Sequence, residues 1–390
     1  MLKLRAQLKT PAHAVQGFVF ALGVLLAACS GGTPASAPPS SSPGSGMTTV
    51  NVALTNDGCV PDRSSVPAGA ITFSVINEGG DAVSEVELTS NDRILGEREN
   101  LAPGLSGTFT LELEPGSYLL ECEGATTPQT TFVVTPAAAA QSPAGALDDL
   151  LEQAADGYAG YVRDQTAQLV AATNDFSGAI TAGDIERAKS LYGPARVFYE
   201  RIEPVAESFG DLDHEIDGRV DGAATPDDFT GFHRLEQALW QTGNLDGMTP
   251  IAQKLIVDVG QLQTLVATET YQPAQLANGA AELLDEISAS KITGEEERYS
   301  GLDLIDFQAN LDGARAAFDF LRPALDQVDA QLSGTIATRF DAVQQALNEH
   351  RAGDGFVAYA QLNQDQTRAL GQAVDSLAEP MSEVAAKLVG

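Results

Sequence analysis

Thr135-Pro136-Ala137-Ala138-Ala139-Ala140-Gln141-Ser142-Pro143-Ala144-Gly145 divides the chain into two parts of different periodicity. Upstream, apolar residues alternate with polar ones: Val50/Val52/Leu54, Ile71/Phe73/Val75, Val86/Leu88, Phe109/Leu111/Leu113, Tyr118/Leu120/Cys122 and Phe132/Val134. Successive strand side chains point to opposite faces, so period two predicts strands with one buried face. Turns at Val66-Pro67-Ala68-Gly69, Ala102-Pro103-Gly104 and Glu114-Pro115-Gly116 separate them, and residues 47–134 are expected to form a small all-β sandwich. Downstream of the linker at residues 135–145, long Ala/Leu/Glu/Gln segments show helical spacing. Helices are predicted at roughly 146–175, 184–203, 227–241, 250–270, 273–289, 302–330, 333–350 and 355–388. Residues 146–390 are therefore expected to be an all-α bundle with one core.

The other end of the β segment is marked by a different kind of punctuation. Lys3, Arg5 and Lys9 precede an apolar run from Val15 to Leu26, and Leu26-Ala27-Ala28-Cys29 follows. That pattern predicts a signal peptide over residues 1–28 and a lipoprotein cleavage site. Cys29 would then carry a lipid, and the Gly/Pro/Ser-rich residues 29–46 would form a flexible tether. The expected location is the extracytoplasmic face of the cell membrane, whether periplasmic or outer.

The net charge is −32, and loss of a signal carrying three basic residues and no acidic one takes it to about −35. Such a surface repels phosphate backbones and attracts cations, which argues against nucleic-acid binding. Most of these carboxylates are expected to be solvated surface groups. Only constellations of them point to a role.

One constellation is Gly231-Phe232-His233-Arg234-Leu235-Glu236. Residues three apart on a helix share a face, so His233 and Glu236 can converge on one cation. Tyr199-Glu200-Arg201-Ile202-Glu203-Pro204 and Asp211-Leu212-Asp213-His214-Glu215-Ile216-Asp217 supply further carboxylates. Should those elements pack beside the His233 helix, Glu200, Glu203 or Asp217 would complete a hard, oxygen-rich set suited to iron, manganese or zinc. The competing reading pairs Glu203 or Asp217 with Arg196, Arg201 or Arg219. His214, in an Asp-rich turn, reads as a surface residue, and His350 as a group that favours a helix dipole.

The runs Ala188-Lys189-Ser190-Leu191-Tyr192, Tyr199 to Pro204, Gly231 to Glu236, Ser290-Lys291-Ile292-Thr293-Gly294-Glu295-Glu296 and Asp306-Phe307-Gln308-Ala309-Asn310 closely resemble the EfeO-type iron-uptake lipoproteins. The resemblance covers nearly all of the chain after the tether. It implies a cupredoxin-like β-sandwich followed by an imelysin-like α-helical bundle that holds iron through a His-x-x-Glu motif. His233 and Glu236 match that motif, with Glu203 and Asp217 as the remaining iron ligands. It further implies delivery of iron to a membrane permease, with a haem-dependent peroxidase as a partner of the same uptake system.

In the N-terminal domain Cys59, Cys122 and Glu85 match family positions implied to bind copper. No histidine lies between Met47 and Val134, so a His₂Cys blue-copper centre cannot be built there. The alternative, in an oxidising compartment, is a Cys59–Cys122 disulfide. Two further functions compete with simple iron binding: a ferroxidase using the N-terminal copper site, and metal-bridged binding of an acidic polysaccharide. The expected role is nevertheless not that of an enzyme. The chain lacks the His-Glu-x-x-His of zinc peptidases and the Gly-x-Ser-x-Gly elbow of serine hydrolases, and one His-x-x-Glu falls short of a di-iron bundle's paired motifs.

Overall fold

The computed structural model describes residues 47–91, 93–137, 145–223, 225, 228–289 and 291–390. Cys29, the signal and the tether lie outside the described residues, as does most of the linker.

Nine strands form the N-terminal sandwich: β1 (Thr48–Thr55), β2 (Gly58–Pro61), β3 (Ser65–Pro67), β4 (Gly69–Asn77), β5 (Val86–Thr89), β6 (Ile94–Arg98), β7 (Ser106–Leu113), β8 (Gly116–Glu121) and β9 (Gln129–Thr135). One sheet has the order β2-β1-β4-β7 and the other β3-β9-β8-β5-β6. β1 runs parallel to β4, and β3 parallel to β9; the remaining neighbours are antiparallel. The alternating residues meet between the sheets, where Val50, Val52, Leu54, Ile71, Phe73, Leu120 and Phe132 are fully buried. Phe73 stacks on Phe109 at 4.8 Å and meets Phe132 edge-on at 5.4 Å. Burial of each such side chain contributes roughly 1.5–3 kcal/mol.

β2, β3 and β6 carry no alternating signal in the sequence. Along β6 every residue is half-buried, because the strand closes the sandwich on one side and meets the helical domain on the other. Arg98 Nη2 donates to Asp285 at 2.7 Å, and the Glu99 amide donates to Glu282 at 3.1 Å. Asn278 Nδ2 also donates to the Thr110 carbonyl at 2.8 Å, so the domains pack against each other.

The helical domain comprises α1 (Ala146–Ala182), α2 (Ile185–Glu200), α3 (Asp211–Asp217), α4 (Gly231–Glu236), α5 (Met248–Val266), α6 (Pro273–Ala289), α7 (Asp303–Asn348), α8 (Gln364–Met381) and α9 (Val384–Val389). Three of the helix boundaries have local causes. Asp329 has non-helical dihedrals (φ −152°, ψ 77°) inside α7, and its side chain accepts from the Leu332 amide at 3.0 Å, restarting the helix as an N-cap does. The segment predicted as one helix over 355–388 instead begins with a short hairpin, Arg351–Ala352 against Gly355–Phe356. Asn363 then caps α8 by accepting from the Asp365 and Gln366 amides. Between α2 and α3, the connection expected after residue 203 is a 3-10 turn, Glu203–Phe209, with Pro204 near its start. Among the described residues, no helix is long and apolar enough to cross a membrane.

Candidate metal centre

Four elements bring the candidate ligands together. Arg196 and Glu200 lie on α2, Asp217 ends α3, and His233 and Glu236 lie on α4. Glu296 and Glu297 come from the turn between the 3-10 segment Lys291–Thr293 and α7. Gly231 lets α3 and α4 approach: its φ is +71°, a conformation that favours glycine, and a methyl group there would run into the Ile216 carbonyl. A π-helical turn, Gln237–Thr242, continues α4 beyond Glu236.

His233 is 2% exposed and stands between two pairs of carboxylates. Its Nδ1 lies 3.3 Å from Glu236 Oε2. Its Nε2 lies 3.5 Å from Glu296 Oε1 and 3.7 Å from Asp217 Oδ1, with no hydrogen-bond partner. Two triads of potential ligand atoms therefore share the ring, Asp217/His233/Glu296 and His233/Glu236/Glu297.

A fully buried cation holds the cluster together. Arg196 pairs with Glu200 and Asp217, approaches Glu297 at 2.8 Å and donates to Asp306 at 3.1 Å. Its guanidinium also lies 5.8 Å from the Phe232 ring centre and 5.9 Å from that of Tyr192, as cation–π contacts require. Burial and the Arg196 charge oppose protonation of His233, but Asp217, Glu236 and Glu296 outweigh them and raise its pKa to about 10. Burial opposes ionisation of Glu296, yet Lys291, His233 and Arg219 hold it well below the ordinary carboxylate range. Glu297 moves the other way, raised by burial to about 8.

Asp217 and Glu296 line a cavity of about 680 Å³ whose walls come from both domains. Farther along it, Glu97 of β6 and Glu99 just after that strand converge with Glu207 of the 3-10 turn. Burial and neighbouring acids raise Glu99 to about 7 and Glu97 well above its ordinary value. The cavity is thus a cation-attracting passage beside the His233 cluster.

The sequence-derived site residues fall into three groups. His233, Glu236 and Asp217 come together as described. Glu203 lines the same cavity as Asp217 and Glu296, with one oxygen on Lys291 and the other accepting from Asn310 Nδ2, which also donates to Glu200. Cys59 and Cys122 form a disulfide, with Cα atoms 5.9 Å apart. The sulfurs are therefore not free thiolates, and a Cys/Cys/Glu copper set is not available in this structure. Glu85 instead lies on the cavity wall, raised by burial to about 7. His214 is exposed on α3.

Glu296 and Glu297 were not chosen from the sequence, although Glu295-Glu296-Glu297 beside buried Lys291 is a dense acidic run at the end of a noted motif. Arg196 was noted there only as a partner for Glu203 or Asp217. The structure pairs it with Asp217.

Comparison with known proteins agrees with both domains. The imelysin family model matches residues 154–384, and a cupredoxin-like domain model matches residues 19–134. The chain is 40% identical over 339 residues to the iron uptake system component EfeO of Escherichia coli strain K12, spanning 86% of this chain and 90% of that one. EfeO of Shigella sonnei matches with the same identity and coverage. The solved structure of a putative iron-regulated protein A precursor from Parabacteroides distasonis aligns with a TM-score of 0.50 at 15% identity, covering 62% of this chain and 95% of that one. That last likeness concerns the fold alone. On the family model and the full-length relatives together, the chain belongs to the EfeO family, in which a cupredoxin-like domain precedes an imelysin domain.

Proposed function

We propose that this protein is the iron-binding component of an uptake system, capturing iron outside the cytoplasmic membrane and handing it to a membrane permease. The observation that carries this reading is His233 Nε2, a buried nitrogen without a hydrogen-bond partner, facing Asp217 and Glu296 on the wall of an acidic cavity. Two carboxylates face Nε2 at 3.5 and 3.7 Å without a regular hydrogen bond, and a metal ion entering there would take the place of the proton that the raised pKa keeps on the ring. One imidazole among several carboxylates is a hard donor set that suits iron. The relatives' name, iron uptake system component, supports the same cargo.

The remaining parts of the proposal concern place and partners. A lipid on Cys29 would hold the protein at the membrane, where a permease and a haem-dependent peroxidase of the same system would meet it. Binding without chemical conversion fits the site better than catalysis does. The disulfide removes the thiolates that an N-terminal copper ferroxidase would use, and the chain lacks the paired histidines of a zinc peptidase helix.

The test is metal analysis and calorimetric titration of the purified protein with ferrous and ferric iron. The expected result is stoichiometric binding that His233→Ala weakens by roughly tenfold or more, as loss of a ligand should. Equal affinity in the variant would remove His233 from the site, and no iron uptake by the wild-type protein would sink the function.

A further inference from the structure

We infer that the β-sandwich is a proton-controlled flap over the cavity: it stays closed while Glu97 and Glu99 on its side and Glu207 on the helical side share protons across the domain boundary, and it opens between β6 and the 3-10 turn as they ionise. The device needs no metal.

The two edges of the domain boundary are built differently. Along one, polar bonds and packing tie the sandwich down. Arg93 pairs with Glu269, Arg98 pairs with Glu282 and, at 2.7 Å, with Asp285, and the Glu99 amide donates to Glu282 at 3.1 Å. Asn278 donates to the Thr110 carbonyl at 2.8 Å, and β7 packs against α6 and α9. Along the other edge β6 meets the 3-10 turn Glu203–Phe209, and carboxylate faces carboxylate: oxygens of Glu97, Glu99 and Glu207 lie within 4.8 Å of one another. A boundary fastened along one edge and self-repelling along the other can turn as a hinge.

The surroundings add repulsion. Glu85 and Glu87 face the three from the sandwich, Asp213 from α3, and Glu282 and Glu286 from α6. Among the described residues no cation pairs with any of the three. The nearby ones are engaged: Arg98 as above, Lys291 with Glu203 and Glu286, Arg219 with Glu296, and Arg298 with Asp221. Carboxylates this close cannot all ionise cheaply away from water. Burial, and then the neighbouring acids, raises Glu99 to about 7 and Glu97 and Glu207 well above their ordinary value, with Lys291 opposing the shift of Glu99. Opened to water, the same groups return towards 4.5. The closed form therefore binds protons more tightly than the open one, so closure is favoured in acid and lost as pH rises through the closed-state values. Glu282 pairs better with Arg98 once ionised, which keeps the fastened edge in place. All three carboxylates line the cavity that passes Asp217 and Glu296, so the width of that passage follows the proton concentration outside.

The experiment is double electron–electron resonance on chelator-treated protein carrying nitroxides at Ala82→Cys and Asp211→Cys, exposed positions two residues from cavity-lining Ser84 and Asp213. Cys29→Ser removes the other reactive position, since Cys59 and Cys122 are bridged. With Glu99 at about 7 when closed and near 4.5 when open, that residue alone should raise the ratio of long to short distances by on the order of tens of fold between about pH 5 and pH 8. The double substitution Glu97→Gln/Glu207→Gln, made in the labelled protein, should keep the short distance at both pH values. A distance distribution that ignores pH with the native carboxylates would overturn the flap, as would a Gln variant that lengthens with pH just as its parent does. Lengthening accompanied by loss of the helical circular dichroism signal would be unfolding, and would count against it too. The parent comparison stands even where the Gln variant folds poorly. None of these outcomes touches the iron titration, so the two readings fail separately.

Discussion

Arg196 donates to Oδ1 of Asp217, the same oxygen that lies 3.7 Å from His233 Nε2. The protein's own buried cation and the candidate metal position therefore share a carboxylate. This makes Arg196 a charge-compensating group within the candidate metal centre, and it explains how several acids can be buried together without a bound cation.

Replacing Arg196 by Met should consequently destabilise the metal-free protein. Glu200 and Glu297 are fully buried beside it, and Asp217 and Asp306 nearly so. Removing one partner of such a network leaves buried charges unpaired at a cost of about 3–5 kcal/mol. Urea unfolding would measure the loss, and zinc at saturation should narrow the difference because it returns positive charge to the cluster. A variant as stable as the wild type without metal would contradict the compensating role.

The same groups set an expected pH dependence. His233 is raised from 6.5 to about 10, with burial and Arg196 opposing the shift and Asp217 and the two glutamates driving it. A raised folded-state value stabilises below the unfolded value and loses that contribution as pH rises through the folded one. Burial likewise raises Glu85, Glu87 and Glu286 from 4.5 to about 7 and Glu297 to about 8. All of these weaken the fold as pH increases. Glu236 and Glu296 are lowered against the effect of burial, by His233 and by Lys291 respectively, so their contributions disappear only in acid. The melting temperature of chelator-treated protein should therefore peak near the ordinary glutamate value of 4.5 and fall from there towards pH 8. Metal loading should flatten the fall, since binding is strongest where the ligands lose protons most readily. Calorimetric scans with and without zinc would show it; a metal-free maximum at pH 8 would be inconsistent with these shifts.

Gly231→Ala tests how the chain brings α3 to α4. The substitution meets the Ile216 carbonyl and imposes a side chain at φ +71°, which together should cost about 1–3 kcal/mol. Separation of the two helices would move Asp217 away from His233, so metal affinity should fall by tenfold or more even in protein that remains folded at low temperature. Titration at such a temperature, alongside circular dichroism, distinguishes that outcome from unfolding. Unaltered affinity would mean that the close approach at Gly231 does not set the ligand geometry.

The sandwich and the principal helices were legible in the sequence because each presents one continuous buried face. Val50, Val52 and Leu54, for example, are buried on the alternating pattern that marked β1. β6 was not legible, because residues that meet a second domain as well as their own sheet lose the polar half of that alternation. At the metal centre His233, Glu236 and Asp217 could be singled out from local acidic and histidine patterns. Glu296 could not, because its proximity to His233 depends on the chain returning some 60 residues later. Glu203 was only half legible for a related reason. A carboxylate near the end of α2 is compatible with ligation or ion pairing, and its partner, buried Lys291, is remote in sequence.

The Cys59–Cys122 bridge leads to the last prediction. It links β2 to the residue following β8, at a sequence separation of 63. Cross-linking residues that far apart removes conformational freedom from the unfolded chain, which in the loop-entropy account corresponds to about 4 kcal/mol. Both cysteines are buried beneath the sandwich, with Leu120 and Phe132 in the same core, so replacement of the pair by Ala also removes some packing. The double variant Cys59→Ala/Cys122→Ala should therefore unfold at markedly lower denaturant concentration in the N-terminal domain. Its stoichiometric metal binding at the His233 cluster should persist under conditions where the protein is folded, because neither sulfur contacts that cluster. Thiol titration of native wild-type protein should find neither of these two cysteines reactive. Two reactive native thiols at these positions would contradict the bridge, and loss of iron binding in a folded double variant would place the N-terminal cysteines in the binding function after all.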